Sequence, residues 1–402
     1  MEDQTIINRT RPPAAFCSKI SVYCNTKIGY SKKYQSETFY ILPPRRCIRL
    51  LKKSFYPLLI LTFLLSALSH YLHWGMELQF AFAGIAILFA AGLLGKATES
   101  VAHYAGQRLG GFLNATFGNA AELIIAIFLI KEGLFEIVKA SLTGAIIGNL
   151  LLVLGASALT GGLKFKEQKF NVHLAGQNAS LMLLAIIALF IPAIFVQTEH
   201  ISVQDTLRMS EIVAAFLIIA YIGWLIYSMV THKDLLADNE ETKADHGESP
   251  GWSKSLSVVL LVVATVMVAF ISEWLVHTLD AFSARFGLSE LFIGAFVVAI
   301  VGNAAEHSAA IMLALKNKMG AAVEIAVGSS LQIALFVAPV LVFVSLLFGG
   351  GMNLIFTTIE LAAIAVAVFI AISISRDGST TWFEGMLLLF VYAILGVAFF
   401  FV

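Results

Sequence analysis

Gly118-Asn119-Ala120-Ala121-Glu122 lies inside the apolar run Asn114 to Ile130, and Gly302-Asn303-Ala304-Ala305-Glu306 repeats it letter for letter inside the run Leu291 to Leu315. Runs of this kind can cross a bilayer, for which roughly 20 mostly apolar residues are needed. A carboxylate in the middle of such a segment costs about 2.5 to 3.5 kcal/mol even on insertion scales, so an intramembrane acid marks a functional site by default. Two acids in identical settings point to one shared task. The expectation is that the two segments meet near the membrane midplane and that Glu122 and Glu306 jointly hold a cation, which protons displace.

Outward from these motifs, only 13% of the 402 residues are charged, against about 25% in soluble domains. The fold class expected is an all-α polytopic membrane protein. The zero formal net charge carries no information about partners, because the charges sit in loops. Cys17, Cys24 and Cys47 all precede the first apolar span and lack metal-ligand spacing. Residues 1–54 contain Pro12-Pro13, Pro43-Pro44 and the basic cluster Arg45, Arg46, Arg49, Lys52, Lys53, and read as an N-terminal cytoplasmic extension. No secretory signal pattern precedes the first span.

Eleven transmembrane helices follow from the apolar runs, at about 55–73, 77–104, 112–131, 135–160, 172–197, 208–231, 254–279, 288–315, 320–348, 353–375 and 381–402. Cytoplasmic loops collect Lys and Arg. With the N-terminus inside, the inner loops hold Arg108; Lys164, Lys166 and Lys169; Lys233, Lys243 and Lys254; Lys316 and Lys318; and Arg376. The outer loops hold little beyond Lys131, Lys139, Arg208 and Arg285. The C-terminus then lies on the opposite side.

The shift of 184 residues that carries Gly118 onto Gly302 also carries Gly144 onto Gly328. Ala97-Thr98-Glu99 resembles Ile271-Ser272-Glu273 as well. The organisation expected is a leading helix (55–76) and two five-helix repeats (77–231 and 254–402) joined by an acidic connector (232–253). Five is odd, so the repeats enter the membrane in opposite orientation, an arrangement that places ion sites near the midplane between repeats. In the connector, Asp234, Asp238, Glu241, Asp245 and Glu248 are spaced by alternating fours and threes, along one face if helical. Two readings stand: a cytoplasmic helix that gathers or senses cations, and a solvated linker.

A hard cation such as calcium takes six to eight oxygens. Glu122 and Glu306 supply charge and Asn119 and Asn303 amide oxygens, while Gly118 and Gly302 let their helices loosen and expose carbonyls. Ser329, Ser330, Gln332 and Asn149, in the partner stretches Thr143 to Asn149 and Val327 to Gln332, are neutral donors that either complete the shell or hydrogen-bond between helices. Glu99 and Glu273 read as a second acidic layer toward the cytoplasmic helix ends, and Glu360, His103, His277 and His307 as helix-end or packing residues. Burial favours the neutral form of a carboxyl group and a nearby divalent cation favours the ionised form, so metal and protons compete for the same oxygens. Two carboxylates neutralise one divalent cation or take two protons, which suggests near-electroneutral turnover. The chain shows no His-Glu-x-x-His zinc site, phosphate-binding Gly-Lys-Ser/Thr loop or nucleophile elbow, and neither an enzyme nor a cofactor is expected.

Through Leu113 to Leu123, Gly148 to Gly155, Gly302 to His307 and Gly328 to Leu335 the sequence resembles the calcium/proton exchanger (CAX) family of the cation/calcium exchanger superfamily, over about 55–402. The resemblance implies an eleven-helix fold, proton-driven calcium export or sequestration by alternating access, and central glutamates matching Glu122 and Glu306. It alone suggests a homo-oligomer, trimers among them. At Ala145 and Gly148 the chain departs from the serines expected of many relatives. The expected partners are calcium ion, protons and the lipid bilayer, with no nucleic acid. A sodium/calcium exchanger is the nearest alternative, but such proteins usually carry Gly-Thr-Ser-x-Pro-Glu and a further acid in the partner helices. A cation channel is the alternative of a different class, disfavoured by two inverted halves in one chain.

Overall fold

The computed structural model describes residues 45–198, 201–232 and 252–402. The chain divides into two compact units, Met1–Lys52 and Lys53–Val402. Of the first only the helical residues 45–52 are described. The helices are α1 (Arg45–Tyr71), α2 (Met76–Phe117), α3 (Ala120–Lys131), α4 (Phe135–Phe165), α5 (Val172–Thr198), α6 (Val203–Thr231), α7 (Lys254–His277), α8 (Leu279–Phe286), α9 (Glu290–Ala314), α10 (Met319–Leu347), α11 (Thr358–Ser375) and α12 (Trp382–Phe400). Among the described residues ten of these, all but α3 and α8, are long and apolar enough to cross a membrane. Large side chains such as Phe216, Phe369 and Ile394 lie exposed on their outward faces, as contact with lipid requires. The protein is an all-helical, multi-pass membrane protein.

The third expected helix, 112–131, is built from two pieces. A Cβ on Gly110 would fall on the backbone carbonyl of Ala102, eight residues back, whereas eight residues of straight helix span about 12 Å. Although α2 is helical throughout, its path therefore doubles back between Ala102 and Gly110. The returning leg ends at Phe117, and Gly118-Asn119 forms a turn before α3. Neither piece alone reaches span length.

α2 and α7 pack antiparallel. At one end Ser100 Oγ lies 2.7 Å from Ser257 Oγ and Tyr104 donates to the Trp252 carbonyl at 2.7 Å. At the other end α2 meets α8, which directly follows α7: Phe80 stacks on Phe282 with ring centroids 4.0 Å apart, and Arg285 lies 3.5 Å from Glu77. The short strands β1 (Glu167–Lys169) and β2 (Ser379–Thr381) pair antiparallel, with Gln168 opposite Thr380. Gln168 also donates to the Ala314 carbonyl at 2.9 Å, and Lys164 to the Leu315 carbonyl at 2.6 Å. The basic loops after α4, α9 and α11 thus gather at one end.

Lipid offers no hydrophobic drive for helix association, so close approach of small residues holds the spans together. α4 does this on two sides. Gly155 faces Gly385 of α12, where an added Cβ would strike the α4 backbone. Gly144 lies on the Ala295 backbone, and Gly294 on Ala140 and the Ile137 carbonyl, so α4 and the start of α9 cross almost backbone to backbone. Gly328, which the 184-residue offset relates to Gly144, has nothing within 4 Å of its Cβ position. π turns interrupt α4 at Gly148–Val153 and α10 at Ile333–Val337, positions that the repeat offset relates to within one residue. Such turns concentrate at functional sites.

Lys139 corrects one expectation. It is not a loop residue but lies one turn inside α4, only 5% exposed.

Candidate functional site

The two motifs meet. Glu122 is the third residue of α3, at a helix N-terminus whose free N–H groups favour a negative group. Its side chain rests on Gly302 of α9: a Cβ there would stand 3.6 Å from Glu122 Cγ and 3.8 Å from Oε1. Gly302 and Glu306 are four residues apart and share one helix face, so both carboxylates lie along the same strip of α9.

Beside Glu122 lies a cavity of about 20 Å³, bounded by α3, by Ser141 and Ala145 of α4, by Ala299 and Asn303 of α9 and by Ile333 of α10. A site needs about 10–15 Å³ to hold one water, so this one fits a single small occupant. Four helices, two from each half of the chain, build its wall.

Most of the expected ligands gather here. Ser329 donates to Glu306 Oε2 at 2.6 Å, and Asn119 donates to Gln332 Oε1 at 2.5 Å, a bond from the first half to the second. Asn303 donates to the Ala299 carbonyl of its own helix at 2.9 Å. Ser330 turns away from the carboxylates, toward the carbonyls of Ala326 at 2.9 Å and Ile146 at 3.4 Å. Asn149 is buried in the π turn of α4. Glu122 Oε2, Asn119 Oδ1 and Asn303 Oδ1 are buried and find no hydrogen-bond partner in the protein. Three orphaned acceptors near one carboxylate pair match a positively charged occupant, since buried acceptors are ordinarily satisfied.

Two expectations change. Gly118 does open its helix, but Gly302 stays inside unbroken helix. The reason is contact: Gly302 is where Glu122 docks, and no carbonyl need be freed there. Glu99 and Glu273 do not form a common layer. Glu99 is next to Ser100, at the Ser257 end of the α2–α7 pair, whereas Glu273 lies near the far end of α7, 3.6 Å from Lys131. Asp234, Asp238, Glu241, Asp245 and Glu248 lie outside the described residues, as does most of the N-terminal extension.

A profile of the sodium/calcium exchanger protein family matches residues 76–230 and 256–401. The chain belongs to this family. Among curated relatives, the Ca(2+)/H(+) antiporter ChaA of Bacillus subtilis (strain 168) is 49% identical over 337 residues, 84% of this chain and 95% of that one. The Ca(2+)/H(+) antiporter of Aphanothece halophytica is 46% identical over 355 residues, 85% of this chain and 95% of the other. Among solved structures, native YfkE superposes with a TM-score of 0.76 at 44% identity, covering 87% of this chain and 100% of that one. Within the exchanger family the chain thus joins the calcium/proton branch that its motifs resemble.

This family member carries a second buried polar cluster that the motifs did not flag. Lys139 of α4 and Glu360 of α11 are 5% and 1% exposed. Their only sequence signal was charge inside an apolar run.

Proposed function

We propose that this chain is a secondary transporter that exchanges calcium for protons by alternating access, with Glu122 and Glu306 binding either the metal or protons. One observation carries the reading: Glu122 of the first half docks on Gly302 of the second, one turn from Glu306, beside a one-ion cavity edged by unpartnered oxygens. The names of the relatives at 46–49% identity support calcium and protons as the exchanged pair. Asn119, Asn303 and Ser329 contribute neutral oxygens or orient the acids, and Gln332 holds Asn119 in place. A divalent ion and protons satisfy the same carboxylate oxygens and exclude one another. An empty, doubly ionised site is too costly to reorient through the membrane, so each passage carries one cargo or the other.

Eleven crossings and inverted halves complete the proposal. Tyr104 touches Trp252, so an even number of crossings must separate them. Span-length α4, α5 and α6 supply three, and the Gly110–Phe117 leg with α3 supplies the fourth. Each half then has five crossings, which inverts one relative to the other. The gathering of the basic loops after α4, α9 and α11 at one end supports a cytoplasmic face there, with the N-terminus on that side and the C-terminus across the membrane. The backbone crossing of α4 and α9 seals the opposite side, while its counterpart at Gly328 is free of contact, which fits a state closed outward.

The test is pH-gradient-driven uptake of radioactive calcium into proteoliposomes. Glu122→Gln and Glu306→Gln should each reduce uptake to background while eluting as folded protein. Wild-type uptake by either variant would remove that acid from the site, and uptake driven by sodium with no response to pH would replace protons by sodium.

A further inference from the structure

The buried cluster behind the site links the two halves of the chain. Lys139 Nζ lies 2.7 Å from Glu136 Oε1 and donates to the Ile355 carbonyl at 3.0 Å. Glu360, in the first turn of α11, accepts through Oε2 from the Thr357 N–H and hydroxyl, both at 2.8 Å. Through Oε1 it accepts from the Thr143 hydroxyl at 3.3 Å. The segment between α10 and α11 is an extended strap whose Met352, Leu354 and Phe356 are buried. Met352 N–H donates to Ser345 and Leu354 N–H to Ser210.

Lys139 and Thr143 are one turn apart on α4, whereas Ser141 and Ala145, which line the Glu122 cavity, lie about 160° around the helix from Thr143 at 100° per residue. One face of α4 is therefore gripped by the strap and α11 while the opposite face walls the cation site. The repeat offset relates Lys139 to Val323, Thr143 to Val327 and Glu360 to Gly176, so the inverted counterpart of the grip carries no charge. We infer that Lys139 and Glu360 are positioning residues that fix the depth and rotation of α4 from behind, and so set the affinity of the Glu122 cavity for its cation.

This inference rests on the reading of Glu122 and Glu306 as the cation site. Removing an outer partner of a metal site typically lowers affinity about 10- to 100-fold. Glu360→Gln and Thr143→Val should therefore raise the KM for calcium in proteoliposomes by about tenfold. Because both act through one hydrogen bond, the double variant should be no worse than Glu360→Gln alone. Removing one charge from a buried cluster leaves the others less compensated, while removing the buried charges together is often neutral for folding. Lys139→Met/Glu360→Gln should accordingly restore the yield of folded protein that Lys139→Met loses, without restoring KM.

An unchanged KM in Glu360→Gln, with Vmax falling only as the folded fraction falls, would overturn the inference. So would recovery of KM together with folding in the Lys139→Met/Glu360→Gln protein, since the pair would then serve stability alone. Glu122→Gln run alongside separates the two readings. Transport surviving in Glu122→Gln removes the site and this inference with it, whereas loss there beside a normal KM in Glu360→Gln removes this inference only.

Discussion

Gly302 and Glu122 are fitted to one another across the two halves. An added Cβ at 302 would meet Glu122 Cγ and Ile125 Cδ1 at 3.6 Å, ordinary contact distance, so Gly302→Ala should fold and retain uptake. A branched side chain would reach past that Cβ into the space the carboxylate occupies. Gly302→Val should therefore cut calcium uptake by more than tenfold, chiefly by displacing Glu122, with the protein eluting normally. Uptake within twofold of wild type in Gly302→Val would show that Glu122 does not depend on this contact. The asymmetry of the neighbouring positions belongs to the same scale. Ser329 reaches Glu306, whereas its repeat equivalent is Ala145, which has no hydroxyl to offer Glu122. Gln332 reaches Asn119, whereas its equivalent is Gly148. The two acids share a motif but not the same surroundings, and Glu122 is the one left with an unpartnered oxygen.

Among the elements, α4 is the hinge of the design, since it touches the site, the strap and α12 at once. The offset-related pair Gly144 and Gly328 gives a controlled comparison. A methyl group at 144 falls on the Ala295 backbone and at 328 on open space. Overpacking of a tight crossing costs about 1–3 kcal/mol, so Gly144→Ala should lower the thermal unfolding midpoint in detergent by several degrees and Gly328→Ala should leave it in place. Equal shifts would mean that the crossing is not tight on one side only. Much of this layout was legible in the sequence. The apolar runs match ten helices of span length to within about five residues, and the doubled motif marks the two acids whose segments meet at Gly302. What the sequence hid had physical causes. The reversal near Gly110 is helical on both sides, so neither composition nor turn residues mark it, and only the contact with Ala102 betrays it. Lys139 reads as a loop cation because charge near a span end usually means solvent, whereas here the Ile355 carbonyl of the strap and Glu136 hold it. The π turns leave no local pattern at all.

At the scale of the whole molecule, alternating access requires part of the structure to move while other parts travel together. α2 and α7 are the first helices of the two halves; α2 is fastened at one end to α7 and the residue before it, by Ser100 with Ser257 and Tyr104 with Trp252, and at the other to α8, which directly follows α7, by Phe80 with Phe282 and Glu77 with Arg285. Contacts at both ends leave little freedom for sliding, so α2, α7 and α8 should move as one body against the helices that carry the site. In a background lacking Cys17, Cys24 and Cys47, Ser100→Cys/Ser257→Cys should form an intramolecular disulfide in high yield. Facing hydroxyl oxygens 2.7 Å apart place their Cβ atoms near the spacing a disulfide needs. Cleavage within the connector between the halves, followed by electrophoresis without reductant, would read the bond as an uncut band. Calcium exchange by the cross-linked protein should match that of its reduced form. A disulfide that stops exchange and releases it on reduction would place the moving boundary between α2 and α7, and failure of the bond to form would break the crossing count that brings Tyr104 and Trp252 to the same face.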